Sequence, residues 1–347
     1  ISAVGYLTPF VPWLGTGAFP LFIGVLGLIW LTTAANFGGP KVTGQIGAAT
    51  VWGVIIPVGL LSIIGWFWFK PSVFAEAWNP HHMSVLAGIN KSIPLTLWAF
   101  LGMESAAQNS DAVENPQKNV PLACMLGTLG AAVIYILSTT VIQGIVPNAD
   151  LAKSSAPFAT VYAQMFNPTI GKIIMALAVI ACVGSLLGWQ FTLAQTAKYT
   201  ADGRYFPKLF SKVTAMGAPI GGLTVNGILQ TLMAFSTMSP NATAQFNKLV
   251  NLAAVTNLVP YVTSLTGLLI VMHKAKSGTN IFHRNVVVLM AAMAYSIYAI
   301  YASGQDAVFG AMIVMGIGYV MFGFIANRFD DLMNATDTNM DTVTNNN

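Results

Sequence analysis

Apolar residues run along this chain in continuous blocks about 20 long, broken by short polar stretches, and a block of that length crosses a hydrocarbon core of about 30 Å as a helix. After a remnant at 1–10, the pattern predicts nine spans, at 17–37, 46–69, 84–107, 121–146, 171–197, 220–238, 247–272, 284–303 and 306–326. The strands of an outer-membrane barrel alternate in polarity, so that architecture is excluded. The fold class is all-α, a polytopic helical membrane protein. Residues 1–329 read as a single transmembrane domain, and 330–347 (DDLMNATDTNMDTVTNNN), polar and without an apolar period, as a disordered tail.

Composition agrees. Of 347 residues only 15 are Lys or Arg and 11 are Asp or Glu, a charged share of 7% where a soluble domain has about 25%. A water-facing surface cannot be built from that, which excludes a soluble enzyme. The net charge of +4 implies no nucleic-acid partner, because its sign follows from where the basic residues flank the spans. Assigned to alternate loops, Lys41, Lys118, Lys198, Arg204, Lys208, Lys212, Lys274, Lys276, Arg284 and Arg328 fall on one side, and Lys70, Lys153, Lys172 and Lys248 on the other, with Lys91 inside a hydrophobic stretch. Cytoplasmic loops hold the excess, so the C-terminus is expected in the cytoplasm. Cys124 and Cys182 lie in apolar stretches and read as unpaired packing residues.

An ionisable residue deep in a span is costly and marks function by default. Ten of the eleven acids fall in loops, at span ends or in the tail; Glu104 alone remains inside. Its surroundings (NKSIPLTLWAFLGMESAA, 90–107) read as an interrupted helix, since Pro94 removes a backbone donor and Gly102 weakens the helix further. Trp98 and Glu104 are six apart, hence about 120° apart on a continuous helix; a break near Gly102 lets both face one cavity. Glu104 then pairs with a substrate cation, or else is a protonated carboxyl bonded to a neighbouring helix. Trp98 is a cavity wall or a core residue.

A second mid-membrane tryptophan, Trp189, follows the small-xxx-small pair Gly184 and Gly188 in CVGSLLGWQFTLAQ. It could hold an ammonium by cation–π attraction. Trp66, Trp68 and Trp78 fit an interfacial belt. Asn251, Thr256 and Asn257 give their span an unusual polar content, read first as interhelical hydrogen bonding, with Asn251 also a candidate ligand contact. His81 and His82 read as solvated loop residues, not as metal ligands. No HExxH, GxSxG, P-loop or GxGxxG is present. No catalytic residue, metal or cofactor is assigned.

LWAFLGME (97–104) followed by ENPQKNVP (114–121), with ILSTT (136–140), SAPF (155–158), GSLLGWQ (184–190), DGRYFPKLFSKV (202–213) and NLVPY (257–261), resembles the basic amino acid/polyamine antiporters of the amino acid, polyamine and organocation superfamily. So do ANFGG (35–39), TGQI (43–46), TVWGVIIPV (50–58), IIGWFWF (63–69) and WNPHH (78–82). The resemblance runs to Phe329. It implies the LeuT-like inverted-repeat fold of twelve helices, with the first and sixth broken at mid-membrane around the substrate. Against that plan Ile1, with neither Met nor a polar lead, lies near the end of the third helix, so about the first two and a half helices are expected to be missing and the chain is expected to be inactive alone. Carried over by position, Trp98 is the aromatic that gates or stacks on the substrate, Glu104 the acid of that helix, and Trp189 the far wall. Tyr319, Phe322 and Asp330 depart from the expected Trp, Tyr and Glu, which puts a substrate role for the last helix in doubt.

The resemblance implies exchange of an aliphatic diamine for its parent basic amino acid across a bacterial inner membrane, putrescine for ornithine foremost, with cadaverine/lysine and agmatine/arginine as alternatives. A proton-coupled uniporter or symporter using Glu104 as proton carrier is the competing class, and a receptor or structural bundle a distant third. The resemblance also allows a homodimer.

Overall fold

The computed structural model describes residues 1–80, 82–102, 114–154, 156–238, 242–274 and 279–344. The helices are α1 (Ser2–Leu7), α2 (Ala18–Asn36), α3 (Gly39–Thr50), α4 (Trp52–Ile64), α5 (Pro71–Trp78), α6 (Val85–Phe100), α7 (Pro116–Ile145), α8 (Asn148–Lys153), α9 (Pro157–Met165), α10 (Pro168–Asp202), α11 (Ile220–Ala234), α12 (Ala242–Lys274), α13 (Thr279–Ala302) and α14 (Gln305–Thr344). Among the described residues there is no strand, as expected of a chain whose apolar blocks never alternate.

Seven stretches among the described residues are long and apolar enough to cross a membrane, α3 and α4 counting with the turn after them as one of 30 residues. The two remaining expected spans correspond to the shorter apolar helices α6 and α11. Each is short for a physical reason. A 3₁₀ turn at Phe235–Met238 follows α11, and an extended Leu101 ends α6. At 35 residues, α10 is about 52 Å long and outreaches a core of about 30 Å; its last turn carries the Lys198–Asp202 ion pair at 2.6 Å. Lys91 is exposed.

The last helix runs from Gln305 to Thr344.

The chain divides into two compact units. The first comprises Ile1–Pro80, Ile136–Ala242 and Tyr319–Asn347, the second His81–Tyr135 and Thr243–Gly318. In the first unit the largest apolar cluster gathers Leu61, Val141, Ile145, Val161, Tyr162 and Met165, and the Tyr162 hydroxyl donates to the Pro57 carbonyl at 2.6 Å. A second cluster joins Val4, Leu14, Phe22, Val25, Ile29 and Ala234. Trp66, Phe69, Phe74 and Trp78 form a run of ring contacts at centroid distances of 5.2 to 5.7 Å. Trp68 packs on Phe166 at 5.1 Å. In the second unit Ile93, Leu258 and Ala299 pack together, as do Val255, Ala307 and Ala311.

Candidate functional site

In the second unit, α6 begins on Ser84, whose Oγ accepts from the Ala87 amide at 3.3 Å, as an N-cap should. The helix passes through Pro94, which is buried beside Ile93. It stops at Phe100, Leu101 is extended with ψ 143°, and Gly102 has φ +105°, a region that glycine enters without penalty. The helix therefore ends just before Gly102, whereas Pro94 is absorbed within it.

A helix end leaves its last carbonyls without intrahelical partners. Here the Leu101 amide donates to the Trp98 carbonyl at 3.3 Å, and the Tyr135 hydroxyl of α7 donates to the Ala99 carbonyl at 3.0 Å. The Phe100 and Tyr135 rings meet edge-on, 5.4 Å between centroids. At the other end of α6 the Tyr298 hydroxyl of α13 donates to Asn90 Oδ1. The helix is thus held by neighbours on both sides of its middle.

Trp98 is 43% exposed. Glu104 lies outside the described residues. Asn251 is half-buried on α12. Its neighbours correct the expectation of bonding between helices: Thr256 donates to the Leu252 carbonyl at 3.0 Å and Asn257 to the Ala253 carbonyl at 2.9 Å, both on their own helix. The i−4 carbonyl is within constant reach of a short side chain, and it wins.

Trp189 belongs to the first unit, on α10, and is 44% exposed. The small-xxx-small pair before it is only half a contact. A Cβ added at Gly184 would run into the Thr50 side chain of α3, whereas nothing lies within 4 Å of one added at Gly188.

Next to Trp189 is a polar centre that sequence reading did not single out. Gln190 is 1% exposed and Asn36 fully buried. Gln190 Nε2 donates to Gln230 Oε1 of α11 at 2.7 Å and lies 3.2 Å from Thr33 Oγ1 and 3.3 Å from the Ile29 carbonyl, both on α2. Asn36 Nδ2 donates to the Leu187 carbonyl at 3.0 Å and reaches Gln190 Oε1 at 3.5 Å, while its Oδ1 accepts from Thr43 Oγ1 at 2.8 Å. Four helices share this network. Asn36, Thr43 and Gln190 sit inside three of the quoted motifs, ANFGG, TGQI and GSLLGWQ; strongly polar side chains within otherwise apolar spans were the signal available.

Among the described residues no three His, Cys, Asp or Glu side chains gather as metal ligands would. What the arrangement offers is a helix whose carbonyl end is capped from one side, with a tryptophan two residues before that end.

Residues 1–328 match the family described as Amino acid permease. The chain belongs to that family. This permease is 52% identical over 333 residues to Putrescine transporter PotE of Escherichia coli K12, covering 95% of the chain and 75% of the relative. It is 49% identical to Putrescine transporter PotE of Haemophilus influenzae over 332 residues, 95% of the chain and 76% of the relative. It is also 34% identical to the Cadaverine/lysine antiporter of Escherichia coli K12 over 274 residues, 78% of the chain and 62% of the relative. It is a multi-pass membrane protein of a transporter family, not an enzyme.

Proposed function

We propose that this permease exchanges putrescine for ornithine by alternating access across the bacterial inner membrane, with its C-terminus in the cytoplasm. The observation that carries the reading is the end of α6: the helix stops at Phe100 and turns through Gly102 two residues before Glu104, the one acid that the sequence leaves inside a span. A helix C-terminus carries about half a negative charge, so carbonyl end and carboxylate together favour a cation. Trp98 and Trp189 would serve as apolar and cation–π walls for the alkyl chain and ammonium groups, and Asn251 as a polar contact. The two putrescine transporters at 52% and 49% identity support putrescine over the cadaverine of the 34% relative.

One site can serve both substrates, since each carries a terminal ammonium on a short alkyl chain. Occluding the empty site would bury an unpaired carboxylate, which is costly in a membrane. Return of the unloaded carrier is then slow, and exchange is favoured over one-way transport. Putrescine carries +2 and ornithine +1, so putrescine out for ornithine in moves one net charge outward, at about 2.3 kcal/mol per 100 mV of inside-negative potential, offset by the two concentration gradients. A homodimer would hold two such sites.

Glu104→Gln should abolish putrescine uptake in everted vesicles while the protein still inserts and purifies as the parent does. Uptake unchanged in that variant would overturn the ion-pair site. Efflux of preloaded putrescine that is indifferent to external ornithine would overturn exchange in favour of a uniporter.

A further inference from the structure

The polar network beneath Trp189 has a use beyond holding helices together. Adjacent residues on a helix point about 100° apart, so a buried Gln190 and an exposed Trp189 are two consequences of one rotation of α10. That turn of helix is weak. Gly188 precedes the tryptophan with nothing within 4 Å of an added Cβ, and glycine in a helix costs about 1 kcal/mol against alanine. The turn is instead gripped on either side of the ring. The Leu187 carbonyl accepts from Asn36 Nδ2 at 3.0 Å, and Gln190 Nε2 donates to Gln230 Oε1 at 2.7 Å with Thr33 Oγ1 and the Ile29 carbonyl close by. A rotation that moved the Trp189 ring would break bonds to α2 and α11 together, where no water can replace them.

We infer that Gln190 is a positioning residue: it fixes the direction in which Trp189 points, and through Trp189 it sets the affinity for the diamine. The inference rests on the proposed function, in which Trp189 is a wall of the substrate site. Met is the variant of choice at 190, since its unbranched chain is close in length and keeps helix propensity while removing every bond.

The test measures putrescine counterflow in proteoliposomes for the parent, Gln190→Met, Trp189→Phe and the double variant. Gln190→Met should raise KM about fivefold with maximal rate within about twofold, the signature of lost binding and not of lost turnover. In the Trp189→Phe background the same substitution should change KM no further, because coupled residues are not additive. An equal factor in both backgrounds overturns the inference, as does an unchanged KM in Gln190→Met. A Trp189→Phe variant with the parent's KM overturns both this inference and the role of Trp189 in the site. If Gln190→Met does not insert, Gln230→Met, which removes only the 2.7 Å bond, should give the same non-additive pattern at smaller size, and additivity there overturns the inference equally. If the protein exchanges no putrescine, the proposed function fails and acrylamide quenching of Trp189 fluorescence, taken as the difference from Trp189→Phe, still decides the geometry. Quenching changed by Gln190→Met upholds it; unchanged quenching overturns it.

Discussion

Both units bond short side chains back to carbonyls of their own helices, but they differ in how their polar side chains reach across helices. In the first, Gln190, Asn36 and Thr43 bond from helix to helix, Trp30 Nε1 of α2 donates to Thr231 of α11 at 3.1 Å, and Tyr162 reaches Pro57. In the second, Thr256, Asn257, Thr263, Ser296 and Ser303 bond to carbonyls of their own helices. The cross-helix bonds described there, from Tyr298 and Tyr135, both end on α6. In lipid there is no hydrophobic force between helices, so packing and interhelical bonds decide how firmly they are joined. The first unit is built to keep its helices in register. Among its described residues, the second ties α6 down from two neighbours and packs Ile93, Leu258 and Ala299 against one another.

The sharpest way to break this comparison uses two glycines. At Gly184 a new Cβ would meet Thr50, a β-branched residue held by its own bonds to the Ile46 and Gly47 carbonyls, so α3 and α10 would have to separate. Gly184→Val should cost about 3 kcal/mol, at the upper end for overpacking, and lower the thermal midpoint in detergent. Gly267 on α12, in the second unit, has nothing within 4 Å of an added Cβ, and Gly267→Ala should raise the midpoint by up to about 1 kcal/mol of helix propensity. Midpoints that move together in both variants would mean that the units are packed alike.

A smaller effect tests the polar contrast directly. Asn36→Leu leaves Thr43, Gln190 and the Leu187 carbonyl each short of a partner, and should cost about 2 kcal/mol, the desolvation of groups left unmet. Thr256→Val removes a bond that only returns to its own helix and should stay within about 0.5 kcal/mol. Equal losses would place polar ties of the same weight in the second unit.

What could be read from sequence follows from the same physics. Fold class and seven of the nine expected spans were legible because a membrane helix must be continuously apolar, and the end of α6 before Gly102 because proline and glycine stand together in one apolar block. The direction of each helix was not. The part of α10 around GSLLGWQ is apolar on nearly every side and carries no stripe from which its rotation could be read, so nothing in that motif told which of Trp189 and Gln190 is buried. Nor does the identity of Asn257 tell whether it bonds across helices or backward; that depends on what lies opposite, which only the fold supplies.

The smallest expected effect concerns Tyr135. Tyr135→Phe keeps the ring that meets Phe100 and removes only the hydroxyl that donates to the Ala99 carbonyl at the end of α6. A net hydrogen bond is worth about 1 kcal/mol, so the thermal midpoint should hardly move. The last turn of α6 should nevertheless open more often, with amide hydrogen exchange in a peptide covering 95–102 about fivefold faster, the factor that about 1 kcal/mol corresponds to. Exchange elsewhere in the second unit should stay at the parent's rate, because its other helices do not share that bond. Asn36→Leu should behave differently and speed exchange in α2, α3 and α10 at once, since its bonds join all three. Faster exchange spreading from Tyr135→Phe into α12 and α13 would mean that the second unit opens as one cross-tied body, and the contrast between a locked unit and a loosely joined one would fail at the helix on which it most depends.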